Sequence, residues 1–206
     1  KNLFILREDL IPFSFGGNKV RKAIKFFEHI LVNRYDTAIT YGSASSNHCR
    51  IIANMAKMHN LKCIVITPKE DNESTLNSEL VSYLNATIVF SDVKDIKKTI
   101  DETMNKELEM GNNPYFIQGG GHGNIGTSAY VEVFDNLLMY EKTNNINFDY
   151  IFLASGTGTT QAGLIIGNFK YKANKKIIGI SIARSKLKGS KVILDSINDY
   201  ILENNL

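Results

Sequence analysis

Ile151-Phe152-Leu153-Ala154-Ser155-Gly156-Thr157-Gly158-Thr159-Thr160-Gln161-Ala162-Gly163, followed by Leu164-Ile165-Ile166, reads as a buried β-strand, a glycine-rich turn and the start of a helix. Glycines let successive backbone N–H groups converge, and a helix N-terminus adds its dipole, so such a turn suits a phosphate. The hydroxyls of Ser155, Thr157, Thr159 and Thr160 add donors. A P-loop needs Gly-Lys-Ser/Thr at its end, and no lysine occurs between the turn and Lys170. A dinucleotide fingerprint needs a third glycine where Gln161 stands and an acidic residue after the next strand, and neither is present. Arg184 leaves a ribose phosphate, and with it an NADP-linked oxidoreductase, open as a minor reading. A single terminal phosphate fits best; the plain alternative is a tight strand–helix turn.

Outward from this unit the same alternation repeats. Strand-like runs fall at 3–7, 37–41, 63–67, 87–90, 115–117, 148–154 and 177–182, and helices are expected to start near Lys19, Asn47, Glu73, Val93, Ile125, Thr160 and Ser190. Residues 186–206 read as one amphipathic helix. The alternation predicts an α/β protein with parallel sheets, helices on both faces and ligands at the carboxyl ends of the strands.

Two further segments carry chemistry. In Gly16-Gly17-Asn18-Lys19-Val20-Arg21-Lys22, a helix starts after the glycines, since Val20, Ala23, Ile24, Phe27, Ile30 and Leu31 recur at helical spacing. Helix N-termini favour anions, yet this first turn holds Lys19, Arg21 and Lys22. Conversion of a lysine to an imine, or a bound anion, removes the conflict; a solvated basic helix start is the plain alternative. In Tyr41-Gly42-Ser43-Ala44-Ser45-Ser46-Asn47-His48-Cys49-Arg50, a small-residue turn again joins a strand to a helix, with Ser46 or Asn47 as a good N-cap. His48 reads as a base near a helix start or as a surface residue.

Composition bounds the rest. The chain has 206 residues, a net charge of +3, four histidines and two cysteines. That length allows one or two domains with a real core. His29, His59 and His122 are scattered, and Cys49 and Cys63 form no metal motif, so no metal is expected. Basic residues are dispersed among acids with no stripe interleaved with aromatics, which excludes nucleic acid as the expected partner. No apolar run approaches a membrane span and no signal peptide is read, so a reducing cytoplasm is the default.

Together the three motifs resemble the pyridoxal-phosphate enzymes of the tryptophan-synthase β-like fold (fold type II). The resemblance is closest to the 1-aminocyclopropane-1-carboxylate (ACC) deaminase and D-cysteine desulfhydrase family. Leu6-Arg7-Glu8-Asp9-Leu10 matches its Arg-Asp-Asp-like strand end, Gly16 to Lys22 its Gly-Gly-Asn-Lys-x-Arg-Lys signature, Ser46 to His48 its Ser-Asn-His turn, and Ser155 to Gly163 its phosphate cup. The resemblance implies two parallel-sheet three-layer (αβα) domains. Residues 1–22 and 125–206 would form the large cofactor-binding domain, incomplete here, and 23–124 an inserted small domain. It implies pyridoxal 5'-phosphate as cofactor, with Lys19 as its Schiff-base lysine and Asn18 supporting that lysine. Asn47 would bond the cofactor's ring hydroxyl, and Gly156, Thr157, Gly158, Thr159 and Thr160 would bind its phosphate. Ser46, Asn47 and His48 would face the substrate carboxylate, with Ser46 also taking part in proton transfer.

The activity so implied is a lyase or deaminase acting on a small amino acid. It would resemble D-cysteine desulfhydrase, giving pyruvate, sulfide and ammonia, or ACC deaminase, giving 2-oxobutanoate; a homodimer is also implied. The sequence departs from the family pattern at three places. Ser45 stands where relatives often have glutamine, and Gly119-Gly120-Gly121-His122-Gly123 replaces a Gly-Gly-Ser-Asn stretch, with His122 read as a solvated loop residue. The segment that supplies relatives with an active-site tyrosine and a partner for the pyridine nitrogen is not found, so the chain reads as an excerpt or a truncated relative. The rival expectation is therefore an inactive relative serving as a binding or interaction module.

Overall fold

The computed structural model of the chain describes residues 2–71 and 74–206. Helix α1 spans Asn18–Val32 and is followed by β1 (Thr37–Tyr41), α2 (Asn47–Met58), β2 (Lys62–Pro68), α3 (Leu76–Tyr83), β3 (Thr87–Ser91), α4 (Ile96–Glu109) and β4 (Pro114–Ile117). Then come α5 (Asn124–Asn144), β5 (Tyr150–Ser155), α6 (Thr159–Lys170), β6 (Lys176–Ser181) and α7 (Lys186–Asn204). The described residues fall into two compact units, one running to Gly121 and the other His122–Leu206.

In the first unit the strands lie in the order β3-β2-β1-β4, all parallel, with Thr40 opposite Val65 on one side and Ile117 on the other. Side chains alternate across a pleated strand, and here both faces are covered. Ile39, Ile64 and Ile66 form a core cluster with Phe116, against which Ile100 and Met104 of α4 pack. The opposite face, carrying Thr40 and Tyr115, meets α1 and α2: Phe26 lies against Tyr115, and Thr40 bonds His48. This is a three-layer unit.

The second unit pairs β5 with β6 in parallel, Ile151 opposite Ile177. Ala129, Tyr130, Val133, Phe134 and Leu164 make its core, with Ile151, Leu153 and Ile177 packed against it from the sheet. Helices α5 and α6 thus cover one sheet face, while Phe152 and Ile180 on the other are exposed. Lys175 Nζ lies 2.6 Å from Glu141 Oε1, both buried, and also donates to Phe148 O, tying the end of α5 to the segments entering β5 and β6.

Most expected elements are present with edges shifted by a few residues, and α7 covers the expected final helix. The strand expected at 3–7 is not. That segment has no regular secondary structure and pairs with no strand among the described residues, and it leads into a 3-10 turn at Glu8–Leu10. A strand needs a neighbour to take its N–H and C=O groups. The helix start expected at Glu73 lies outside the described residues; α3 begins at Leu76. Helix α1 runs unbroken across position 22, buries Val20 and Lys22, and lies in the first unit. No helix among the described residues is long and apolar enough to cross a membrane.

Candidate active site

The strand order reverses between β1 and β4, which is where parallel α/β sheets open a crevice beyond their carboxyl ends. Two loops leave the sheet there: Gly42 to Ser46 after β1, and Gln118 to Gly121 after β4. The start of α1 is fixed by the segment before it. Gly17 N donates to Glu8 O at 2.7 Å, and Arg21 Nε bonds both Glu8 carboxylate oxygens at 2.8 and 2.9 Å. Gly16 is in the left-handed region (φ +66°), and a Cβ there would stand 2.5 Å from Asp9 O, so only glycine fits this turn.

Lys19 is the second residue of α1. Burial lowers its pKa, and no carboxylate pairs with it among the described residues. Lys22, 1% exposed, lies one turn on with Nζ 3.4 Å from Gly120 O. Burial, then the charge of Lys19, pushes its pKa well below the ordinary value. Both effects disfavour the charged form of an amine. The cation-rich helix start noted in the sequence is thus resolved differently at each residue. Arg21 is paired with Glu8, Lys22 is driven toward neutrality, and Lys19 is left half-buried without a counter-ion.

Ser46 caps α2, its Oγ accepting from Cys49 N at 3.3 Å. Asn47 is held from two sides. Its Oδ1 accepts from Arg50 Nη1 at 2.9 Å and from Asn77 Nδ2 at 3.0 Å, which fixes the amide orientation and leaves the Nδ2 hydrogens for another acceptor. Asn77 also donates to Ser45 O, and Thr75 Oγ1 to Ala44 O, so the start of α3 pins the whole turn. Arg50 and Asn77 were not singled out in the sequence; nothing short of the α2–α3 contact marks them.

His48 does not turn toward the crevice. Its ring is buried and its Nε2 lies 2.9 Å from Thr40 Oγ1, whose hydroxyl donates to Ile117 O at 2.8 Å. Thr40 has spent its only hydrogen, so Nε2 carries the imidazole proton and Nδ1 is an acceptor without a partner. Burial first, then Lys19 and Lys22, lower its pKa to about 3. Any part His48 plays toward a substrate carboxylate falls to its backbone N–H at the start of α2.

In the second unit the glycine-rich turn meets α6 as expected. Gly158 is its left-handed N-cap (φ +88°), and a Cβ there would meet Ile193 of α7 at 3.0 Å. Ser155 and Thr159 are buried, while Gly156, Thr157 and Thr160 are partly open. His122 was expected to be a solvated loop residue. It is in a loop, but its Nδ1 lies 2.9 Å from Thr159 Oγ1, so it belongs to the surroundings of the cup. The Arg184 guanidinium donates to Gly156 O within the turn. No group of three metal-ligating side chains occurs among the described residues.

In the first unit a primary amine lacking a counter-ion and an oriented amide suit an aldehyde and a hydroxyl; in the second, the glycine-rich turn before α6 suits a phosphate. The family comparison agrees. Residues 1–201 match the model of the pyridoxal-phosphate dependent enzymes, and the chain belongs to that family. It is 28% identical over 191 residues to D-cysteine desulfhydrase of Yersinia enterocolitica, covering 89% of this chain and 58% of that protein. The corresponding protein of Serratia proteamaculans is 26% identical over the same shares. The crystal structure of an ACC deaminase homologue superposes with a TM-score of 0.85 at 28% identity, covering 95% of this chain and 60% of that one. The chain spans less than two thirds of the length of these relatives. A serine racemase from Dictyostelium discoideum shares the fold, with a TM-score of 0.62 at 17% identity over 81% of this chain and 50% of that one.

Proposed function

We propose that the protein acts as a pyridoxal-phosphate-dependent lyase or deaminase on a small amino acid, with D-cysteine as the first candidate and ACC as the second. The observation that most supports this is Lys19: a half-buried amine with a lowered pKa and no carboxylate partner among the described residues, in the same unit as the oriented amide of Asn47. An amine is nucleophilic only when unprotonated, and burial raises that fraction at neutral pH.

Each residue then has a role. Lys19 Nζ would hold the cofactor at its aldehyde carbon. Asn47 donates from Nδ2 to the ring hydroxyl, and Arg50 and Asn77 keep it in that orientation. The turn Gly156, Thr157, Gly158, Thr159 and Thr160 receives the phosphate on its N–H groups and hydroxyls. Ser46 Oγ keeps its hydrogen for the substrate carboxylate while its lone pair caps α2, and it takes part in proton transfer at Cα. The backbone N–H groups of Asn47 and His48 assist with the carboxylate. When bound, the cofactor supplies an electron sink for the negative charge that develops at Cα, which no side chain here provides. In this reading residues 1–22 and 125–206 form the cofactor-binding domain, 23–124 the inserted one, and the protein works as a cytoplasmic homodimer.

The test is turnover. Purified protein with pyridoxal phosphate is given D-cysteine, L-cysteine or ACC, and pyruvate, sulfide and 2-oxobutanoate are measured. Product from D-cysteine or ACC, lost in Lys19→Ala, supports the reading. Cofactor binding without any product favours the binding-module alternative.

A further inference from the structure

Away from the crevice, the first unit contains a cavity of about 450 Å³ between the 11–15 loop, α2 and α3. Its size is within the roughly 300–1,000 Å³ of small-molecule sites. Ile11, Phe13, Leu80 and Leu84 give it apolar walls, and Arg50, 7% exposed, is its only charged lining residue. Two of the lining residues each bury a polar atom without any hydrogen-bond partner: Arg50 Nε and Ser14 Oγ. A guanidinium Nε–H is a donor only, and a hydroxyl is a donor when offered an acceptor. Leaving such donors unpaired costs more than pairing them gains, so buried orphans in one cavity ask for a ligand. No carboxylate pairs with Arg50 among the described residues.

The loop over these donors is strained. Ser14, Phe15 and Gly16 follow one another with positive φ of 46°, 59° and 66°. A bulky non-glycine residue at such a φ is a genuine outlier. Phe15 is 71% exposed, yet its ring lies over the guanidinium, with Arg50 Cζ 5.5 Å from the ring centroid. It covers the cation with a π face.

We propose that this cavity binds a small monocarboxylate with an apolar body. The carboxylate displaces the Phe15 ring, accepts from Arg50 Nε and Ser14 Oγ, and the body rests on Ile11, Phe13, Leu80 and Leu84. The site does not depend on the cofactor reading, although Arg50 Nη1 also holds Asn47 and Asn77, so an occupant acts on the side chain that orients Asn47.

The experiment is a titration of the full chain, followed through the ¹⁵N–¹H signal of Arg50 Nε, with benzoate, its neutral isostere benzamide, and inorganic phosphate. Benzoate is expected to give a saturable shift, with benzamide and phosphate each weaker by about tenfold or more, the scale of one charge-assisted hydrogen bond. Ser14→Ala is expected to weaken benzoate severalfold, and Phe15→Ala to tighten it, since the covering ring is removed. These two variants leave Arg50 in place, so the test needs no substitution at Arg50 itself. No saturable shift, equal binding of benzamide or phosphate, or benzoate affinity unchanged in both variants overturns the proposal.

Discussion

Lys22 is an amine held inside the protein by α1 packing, with a single carbonyl for a partner, and its effect on stability has a definite sign. Unfolded, it keeps a proton up to the ordinary value of 10.5; folded, burial and Lys19 make it release that proton at much lower pH. Between those two pH values the unfolded chain binds more protons, so the cost of burying Lys22 grows as pH falls and vanishes above the ordinary value. Lys22→Met is therefore expected to raise Tm near neutral pH, on the order of 5 °C, with the gain shrinking toward pH 10. Calorimetry of both proteins across that range checks it. His48 behaves in the same sense lower down. Its folded pKa of about 3 lies below the ordinary 6.5, so its stabilising contribution is complete above pH 6.5 and is lost as pH falls toward 3. Thermal melts of His48→Gln between pH 7 and 3.5 are expected to show a shallower acid loss than the parent.

At the scale of elements, the turns that begin helices carry the design. Gly16→Ala would place a methyl against Asp9 O at 2.5 Å in a left-handed conformation, where the nearest atoms are the backbone of Glu8 and Asp9 rather than a flexible side chain. A loss of about 2 kcal/mol or more is expected, read from urea midpoints. In the second unit, Lys175→Ala leaves Glu141 buried without its cation and is expected to cost about 3–5 kcal/mol by the same measurement. These elements were largely legible beforehand. β-Branched runs such as Thr37 to Thr40 and Cys63 to Thr67 marked strands, and apolar spacing after Lys19 and Asn47 marked helices. The 3–7 run was misread because pairing belongs to a neighbour, which a local pattern cannot display. The same blindness hid the site's supports. Lys22, Thr40, Arg50 and Asn77 gain their roles from sheet register and the α2–α3 contact. The ring of His48 turns inward because Thr40 lies beneath it with its only hydrogen already committed to Ile117 O.

For the whole molecule, the topology explains why the crevice-forming segments lie so far apart in sequence. Parallel order β3-β2-β1-β4 brings the loops after β1 and β4 side by side, though most of the first unit's chain separates them. The second unit presents an apolar sheet face, Phe152 and Ile180 exposed, opposite its helical layer. The glycine-rich turn before α6 was readable from glycine spacing alone, whereas His122 as its neighbour was not, because a loop histidine carries no periodic signal. The central claim is that Lys19 is the amine that takes the cofactor. Incubation with pyridoxal phosphate, reduction with borohydride and peptide mapping by mass spectrometry test it most directly. The expected result is a single phosphopyridoxyl group on Lys19; a group on Lys22 or on surface lysines instead, with Lys19 unmodified, would contradict it.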